Sequence, residues 1–267
     1  MNGPEHQQRV AALRAAIEHS GLERSGWEHP CAYLPGRTAR DVAFQIEGLE
    51  PGLYHALMDL NFRRSGAIVY RPACRGCDQC RAIRVPAAEF RPNRAQRRCL
   101  ARHRGLEIEV GPPRLTDEKH ALYQRYLRVR HDGKMDDALE SLRGFLYESP
   151  LDTREVVYRR DGRIVAVGIF DREPAALSTV YCYFAPEASR DSLGVYNVLW
   201  TIEQARTAGI PYVYLGYYVR DCPKMNYKIN YRPCELLTPD GTWRRTDRAA
   251  HGHGPPSAAG PARPSAD

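Results

Sequence analysis

The spacing of apolar and polar positions divides the chain into two halves of different texture. In the first, Leu13 and Ile17 can share one face of a short helix over Val10 to Glu18, and a β-like run over Val42 to Ile46 follows the Pro35-Gly36 turn. Leu53, Leu57, Leu60 and Phe62 recur at helical spacing, which predicts a helix that ends at Ser65-Gly66. A strand over Ala67 to Tyr70 leads into a turn-rich loop between two strands. Then come an arginine-rich helix that opens at Asn93 and closes at Gly105, and a strand over Leu106 to Val110.

The second half has a clearer order. Thr116-Asp117 opens a helix that runs to Arg130 with Leu122, Tyr126 and Val129 on one stripe, and a second helix spans Asp136 to Tyr147. Strands over Arg154 to Arg160 and Arg163 to Phe170 flank Asp161-Gly162, a dipeptide suited to a two-residue hairpin. A third strand covers Leu177 to Phe184. Ser192 caps a helix stopped by Gly209 and Pro211, and a last strand carries Val213, Tyr214 and Leu215. Two helices, a three-stranded meander, a helix and a further strand is the order of the acyltransferase fold, in which two neighbouring strands splay to admit an acyl donor. The expected class is α+β: an acyltransferase-like (GNAT-type) mixed sheet with flanking helices over residues 113–245. A smaller cysteine-bearing N-terminal α+β domain is expected over residues 1–112. The tail, 246–267, is rich in Gly, Pro, Ala and Ser and is expected to be disordered.

The last strand runs into YVYLGYYVRDCPKMNYKINYRP, from Tyr212 to Pro233. Phenols and ammonium groups crowd its end, and Tyr217, Tyr218, Lys224 and Lys228 are the catalytic candidates: a phenol can relay a proton, and an ammonium group can stabilise an oxyanion.

Composition narrows the partner. The 267 residues are 43% hydrophobic, enough for a real core, and no run approaches the ~18 apolar residues of a membrane span. The opening MNGPEHQQRV lacks the apolar core of a signal peptide, so a cytoplasmic location is expected. A net charge of +7 favours an anionic partner, nucleic acid first and an acidic protein next. The helix that starts at Asn93 places Arg94, Arg97 or Arg98, and Arg102 near one face, suited to a phosphate backbone. At the start of the later helix the loop reads SRDSLGVY, with Gly194 as its one glycine. Coenzyme A usually rests on a glycine-rich loop there. A different anionic handle, the 3′ end of a charged tRNA, fits both the missing glycines and the charge, with Arg190, Ser192 and Tyr196 placed to hold it.

Cysteine adds a metal question. Cys74, Cys77 and Cys80 form a C-x2-C-x2-C run, and three thiolates leave a tetrahedral site open. Cys31 is the first choice for the fourth ligand and Cys99 the second; zinc, an iron–sulfur cluster and free reduced thiols are the open alternatives. The transfer chemistry itself requires no cofactor.

Six ordered blocks carry a resemblance: CAYLPGRTA, SGAIVYRPACRGCDQCRAIRV, FRPNRAQRR, RHDGKM, LSTVYCYFAPEASRDSLGVYNVL and YLGYYVRDCPKMNYKINYRPCELL. From Cys31 to about Leu237 the chain resembles the bacterial branch of the arginyl-tRNA-protein transferase family. The resemblance implies transfer of leucine, and to a lesser extent phenylalanine, from charged tRNA to proteins that begin with Asp or Glu, marking them for degradation. Eukaryotic relatives carry a Cys-x-x-Cys pair and a Cys-Cys pair that bind an iron–sulfur cluster, whereas this chain keeps Cys31 and has Leu34 where the next cysteine of the first pair would stand. An acidic acceptor calls for a cation, and Arg130, His131 and Lys134 in the RHDGKM turn are the candidates. Arginyl transfer, a coenzyme-A-dependent N-acetyltransferase and a non-catalytic RNA-binding protein are the alternatives.

Overall fold

The computed structural model describes residues 3–130 and 135–246. His131, Lys134 and residues 247–267 of the tail lie outside the described residues. The N-terminal helix α1 is longer than its apolar stripe, Pro4–Ser20, because Pro4 is pre-set for the first turn and Gly21 ends the helix at φ 73°. Helix α2, Leu53–Asp59, is almost wholly buried. The helix expected to reach Gly66 stops here. Asn61 takes φ 68°, and Arg63–Ser65 becomes a strand. Leu60 and Phe62 still enter the core through that turn, so apolar spacing alone cannot separate the two conformations.

Four short strands form an antiparallel sheet in the order β1 (Trp27–Pro30), β2 (Thr38–Gln45), β4 (Ile68–Pro72), β3 (Arg63–Ser65). The larger sheet has eight strands, in the order β12 (Trp243–Thr246), β11 (Cys234–Leu237), β5 (Arg81–Pro86), β10 (Tyr212–Tyr218), β9 (Ala176–Phe184), β8 (Arg163–Glu173), β7 (Thr153–Arg160), β6 (Glu107–Gly111). Every pairing in it is antiparallel except β9 with β10. Two strands that precede residue 113, β5 and β6, thus belong to the large sheet, and β5 lies inside it between β11 and β10.

Helix α3, Arg94–Arg102, begins with a capping box in which Asn93 and Gln96 satisfy each other's backbone N–H. It lies beside α6, Leu193–Thr207, whose Leu193, Leu199 and Ile202 enter the main core with Val213 and Leu215 of β10. A Cβ at Gly168 of β8 would overlap the Asn197 carboxamide, so glycine there lets α6 approach the sheet. The opposite face of β7–β9 is covered by α4, Asp117–Arg130, and by α5, Leu139–Leu142, which loosens into a π-turn over Arg143–Tyr147 where one continuous helix was expected. A third short helix, α7 (Pro223–Asn226), follows β10.

Buried polar pairs tie the small sheet to the large one. The Arg64 guanidinium of β3 donates two hydrogen bonds to Asp171 of β8, at 2.7 and 2.6 Å, with both side chains buried. Asp59 at the end of α2 accepts from Arg84 of β5, from the Tyr214 hydroxyl and from the Trp243 indole.

Candidate functional site: a splay between two strands

Strands β9 and β10 pair only over Ala176–Ser178 and Tyr212–Tyr214. The Thr179 hydroxyl donates to the Tyr214 carbonyl at 3.0 Å as the strands begin to part. Beyond it β9 stays with β8 and β10 stays with β5, and a register shift between Tyr214 and Tyr217 marks a bulge. Gly216 adopts φ 80° there, a left-handed conformation that glycine takes without penalty.

The bulge decides which tyrosine faces which layer. Val213 and Leu215 point into the core under α6, whereas Tyr212 and Tyr214 point toward α2 and the small sheet. Successive strand residues alternate faces, and the bulge shifts that alternation by one residue. Tyr217 therefore joins the small-sheet side, where its hydroxyl donates to the Asn61 carbonyl at 2.8 Å and burial raises its pKa. Tyr218 returns to the α6 side beside Ile229 and Tyr231, and its hydroxyl has no hydrogen-bond partner among the described residues.

Lys228 closes the opening from the turn after α7. Its Nζ donates to the Tyr217 carbonyl at 2.8 Å and lies 3.5 Å from where a Gly216 Cβ would stand. Burial, and next the Arg63 guanidinium, bring its pKa down to about 7. Lys224 is exposed on α7 and stands apart from these groups.

Aromatic rings surround the mouth of the splay. Tyr126 of α4 packs edge-on against Phe184 and Tyr181 of β9, with centroids at 5.0 and 6.3 Å. Arg130, one turn further along α4, places its guanidinium over the Phe184 ring at 5.3 Å. Tyr227, 40% exposed, stands 6.4 Å from the Tyr231 ring. Tyr231 is buried, and its hydroxyl has no partner among the described residues. Cys182 is pushed up to about 12 by burial, which makes it a packing thiol.

The basic residues singled out from the sequence fall next to one another. Arg102 of α3 donates to the Arg190 carbonyl at 3.2 Å, the Cys99 thiol to the Ser192 carbonyl at 3.6 Å, and the His103 ring lies 2.8 Å from the Asp191 carbonyl. This places the exposed Arg94, Arg97 and Arg98 of α3 on the helix that flanks the start of α6, with Arg190 exposed in the adjoining loop. Ser192 sits at φ 63° and makes no side-chain cap, unlike the capping role expected for it. Tyr196 is buried against His103 and Tyr158 and offers no exposed ring to a nucleic acid.

The cysteines also gather. Burial, and then Cys74, Cys31 and Cys77 in turn, push the Cys80 thiol up to about 12. Backbone N–H groups of Leu34 and Arg40 point at the sulfurs of Cys31 and Cys74, at 3.4 and 3.3 Å, as amides do around metal thiolates. The donor set thus suits a soft metal, although among the described residues no three of these thiols lie within 4.8 Å of one another. A pocket of about 290 Å³ lined by Arg71, Cys74, Cys77, Cys80 and Arg81 among others opens beside them. A trio that does meet that spacing, His6, His55 and Asp59, is engaged otherwise: Arg84 already neutralises Asp59.

Sequence reasoning missed Arg63 and assigned Tyr126 only to an apolar stripe. Two adjacent arginines, Arg63 and Arg64, in an apolar run were the available signal, because charges in such a run are kept only where they find partners.

A meander, a helix and a parallel strand splayed from its neighbour define an acyltransferase-like protein. The profile of "Arginine-tRNA-protein transferase, N terminus" matches residues 29–98, and that of the C terminus matches residues 118–238. A protein of Chromobacterium violaceum named aspartate/glutamate leucyltransferase is 44% identical over 219 residues, 81% of this chain and 90% of that relative. One of the same name from Thiobacillus denitrificans is 44% identical over 220 residues, covering 81% of this chain and 91% of that one. The chain belongs to the arginine-tRNA-protein transferase family, among the relatives that bear the name aspartate/glutamate leucyltransferase. Solved structures are more distant: L-PGS from Bacillus licheniformis is 17% identical at a TM-score of 0.42, over 72% of this chain and 62% of that one. FemX is 12% identical at a TM-score of 0.43, over 81% of this chain and 69% of that one.

Proposed function

We propose that this protein transfers leucine, and less readily phenylalanine, from charged tRNA to the α-amine of proteins that begin with Asp or Glu, marking them for degradation in the cytoplasm. The observation that carries this reading is the match to relatives named aspartate/glutamate leucyltransferase along nine-tenths of the length of the first of them. No helix among the described residues is long and apolar enough to cross a membrane.

The reaction forms an amide bond and breaks an ester. The neutral α-amine of the acceptor attacks the aminoacyl carbonyl carbon, the carbon–oxygen bond to the terminal ribose breaks, and the proton lost by nitrogen ends on the departing ribose oxygen. Lys228 is assigned the task of taking the acceptor's proton, since a group with pKa about 7 exchanges protons readily near neutrality. Tyr218 is assigned to relay the proton to the leaving oxygen, since no described residue occupies its hydroxyl. Arg94, Arg97, Arg98 and Arg190 are assigned to the tRNA phosphates, and Arg130, at the aromatic mouth, to the acceptor's carboxylate. Cys31, Cys74, Cys77 and Cys80 would hold zinc or an iron–sulfur cluster, which would fasten the loop before β5.

The test offers purified protein leucyl-tRNA or arginyl-tRNA with reporter peptides that begin with Asp, Glu, Lys or Arg. Leucine on the Asp and Glu peptides is the expected product. Arginine incorporation, or modification confined to Lys and Arg peptides, would overturn the assignment.

A further inference from the structure

Two cations contact the backbone at the Gly216 bulge. Arg63 of β3 is 5% exposed. Its Nη2 donates to the Gly216 carbonyl at 3.1 Å, and its Nη1 is tied back to the Phe62 and Met58 carbonyls of its own turn. The guanidinium lies over the Tyr214 and Tyr217 rings at 5.5 and 5.3 Å. On the next residue the Tyr217 carbonyl accepts from Lys228 at 2.8 Å. Two successive carbonyls of β10, at the point where it has parted from β9, are thus each taken by a different cation, the buried Arg63 and the half-buried Lys228.

We propose that Arg63 is a positioning residue for transfer: it anchors the Gly216 bulge to the small sheet, so that the end of β10 stands away from β9 with the Lys228 amine at the opening. The inference rests on the transfer reading above. Without this anchor β10 would lose the tie that holds its bulge to the small sheet, and Lys228 would lose the carbonyl geometry that aims it. Arg63 has a second effect through its charge. The titratable and charged groups that face the Lys228 amine are Arg63, from β3, and the Cys222 thiol, from the turn before α7. No carboxylate among the described residues forms an ion pair with that amine. The guanidinium therefore adds to burial in favouring the neutral, proton-accepting form.

Two variants separate the clamp from the charge, each assayed for leucine transfer to an Asp peptide across the pH range that brackets the Lys228 value. Arg63→Met removes both. Its rate-versus-pH limb should move to higher pH, because loss of a like charge raises the amine's pKa, and transfer lost at neutral pH should partly return in alkali. Arg63→Lys keeps the charge, but one ammonium cannot reach Gly216 and its own turn together. Its limb should stay in place while kcat falls at every pH, with KM for leucyl-tRNA unchanged. A folded Arg63→Met protein whose limb coincides with wild type would overturn the inference. So would Arg63→Lys at wild-type kcat, and that arm decides alone if the Met variant does not fold. A wild-type protein that transfers no leucine overturns the transfer reading instead, whereas wild-type transfer with both variants unchanged overturns only the role of Arg63.

Discussion

Two adjacent hydroxyls on opposite faces of one strand should give opposite phenotypes. Tyr217→Phe removes a hydrogen bond to the Asn61 carbonyl at 2.8 Å and leaves the ring in place against Tyr70. A neutral hydrogen bond to a backbone carbonyl contributes about 1 kcal/mol net. In a chain of this size that is a fall of about 2–4 °C in Tm, with transfer at saturating substrate unchanged. Tyr218→Phe removes a hydroxyl without a partner among the described residues, so stability should stay within about 0.5 kcal/mol of wild type. If that hydroxyl relays the proton, kcat should fall by about a hundredfold or more while KM for leucyl-tRNA holds. Thermal melts and single-turnover transfer on the two variants read both effects. Wild-type kcat in Tyr218→Phe, or lost kcat without lost stability in Tyr217→Phe, would refute the assignment of faces.

Three further outcomes follow from buried or clustered charge. Breaking the Arg64–Asp171 pair with Arg64→Ala should cost about 3–5 kcal/mol by leaving a buried carboxylate without its cation, read as a lower urea midpoint; a loss below about 1 kcal/mol would show that the pair does not join the sheets. Lys228 holds its proton to its ordinary 10.5 when unfolded and to about 7 when folded, so the unfolded chain binds more protons between those values. The stability of wild type relative to Lys228→Met should therefore rise as pH climbs through that window, and a difference that is flat with pH would contradict the depressed value. Replacing Arg94, Arg97, Arg98 and Arg190 with Ala should weaken tRNA binding and reduce the salt slope by about 0.7–0.9 for each phosphate no longer neutralised; an unchanged slope would move the tRNA elsewhere.

The local pattern of residues specified most of the elements and the class of fold. The hairpin at Asp161-Gly162, the Asn93 cap and the three strands of the meander are short-range features, and each occurs where residue spacing placed it, to within a few residues. The glycine-poor loop and the arginine helix were also legible as separate basic stretches. Their adjacency was not, because it arises from α3 packing on α6 across about ninety residues of chain. The same limit applied to Tyr217 and Tyr218, which are equivalent by composition. Alternation puts them on opposite faces, but which one meets which layer is decided by the bulge at Gly216, whose carbonyl is bound by Arg63, more than 150 residues earlier in the chain. Sequence by itself determined what chemistry was present, since residue type and spacing are local. Tertiary structure decided which of those groups meet at the splay, since long-range packing sets the direction of each side chain.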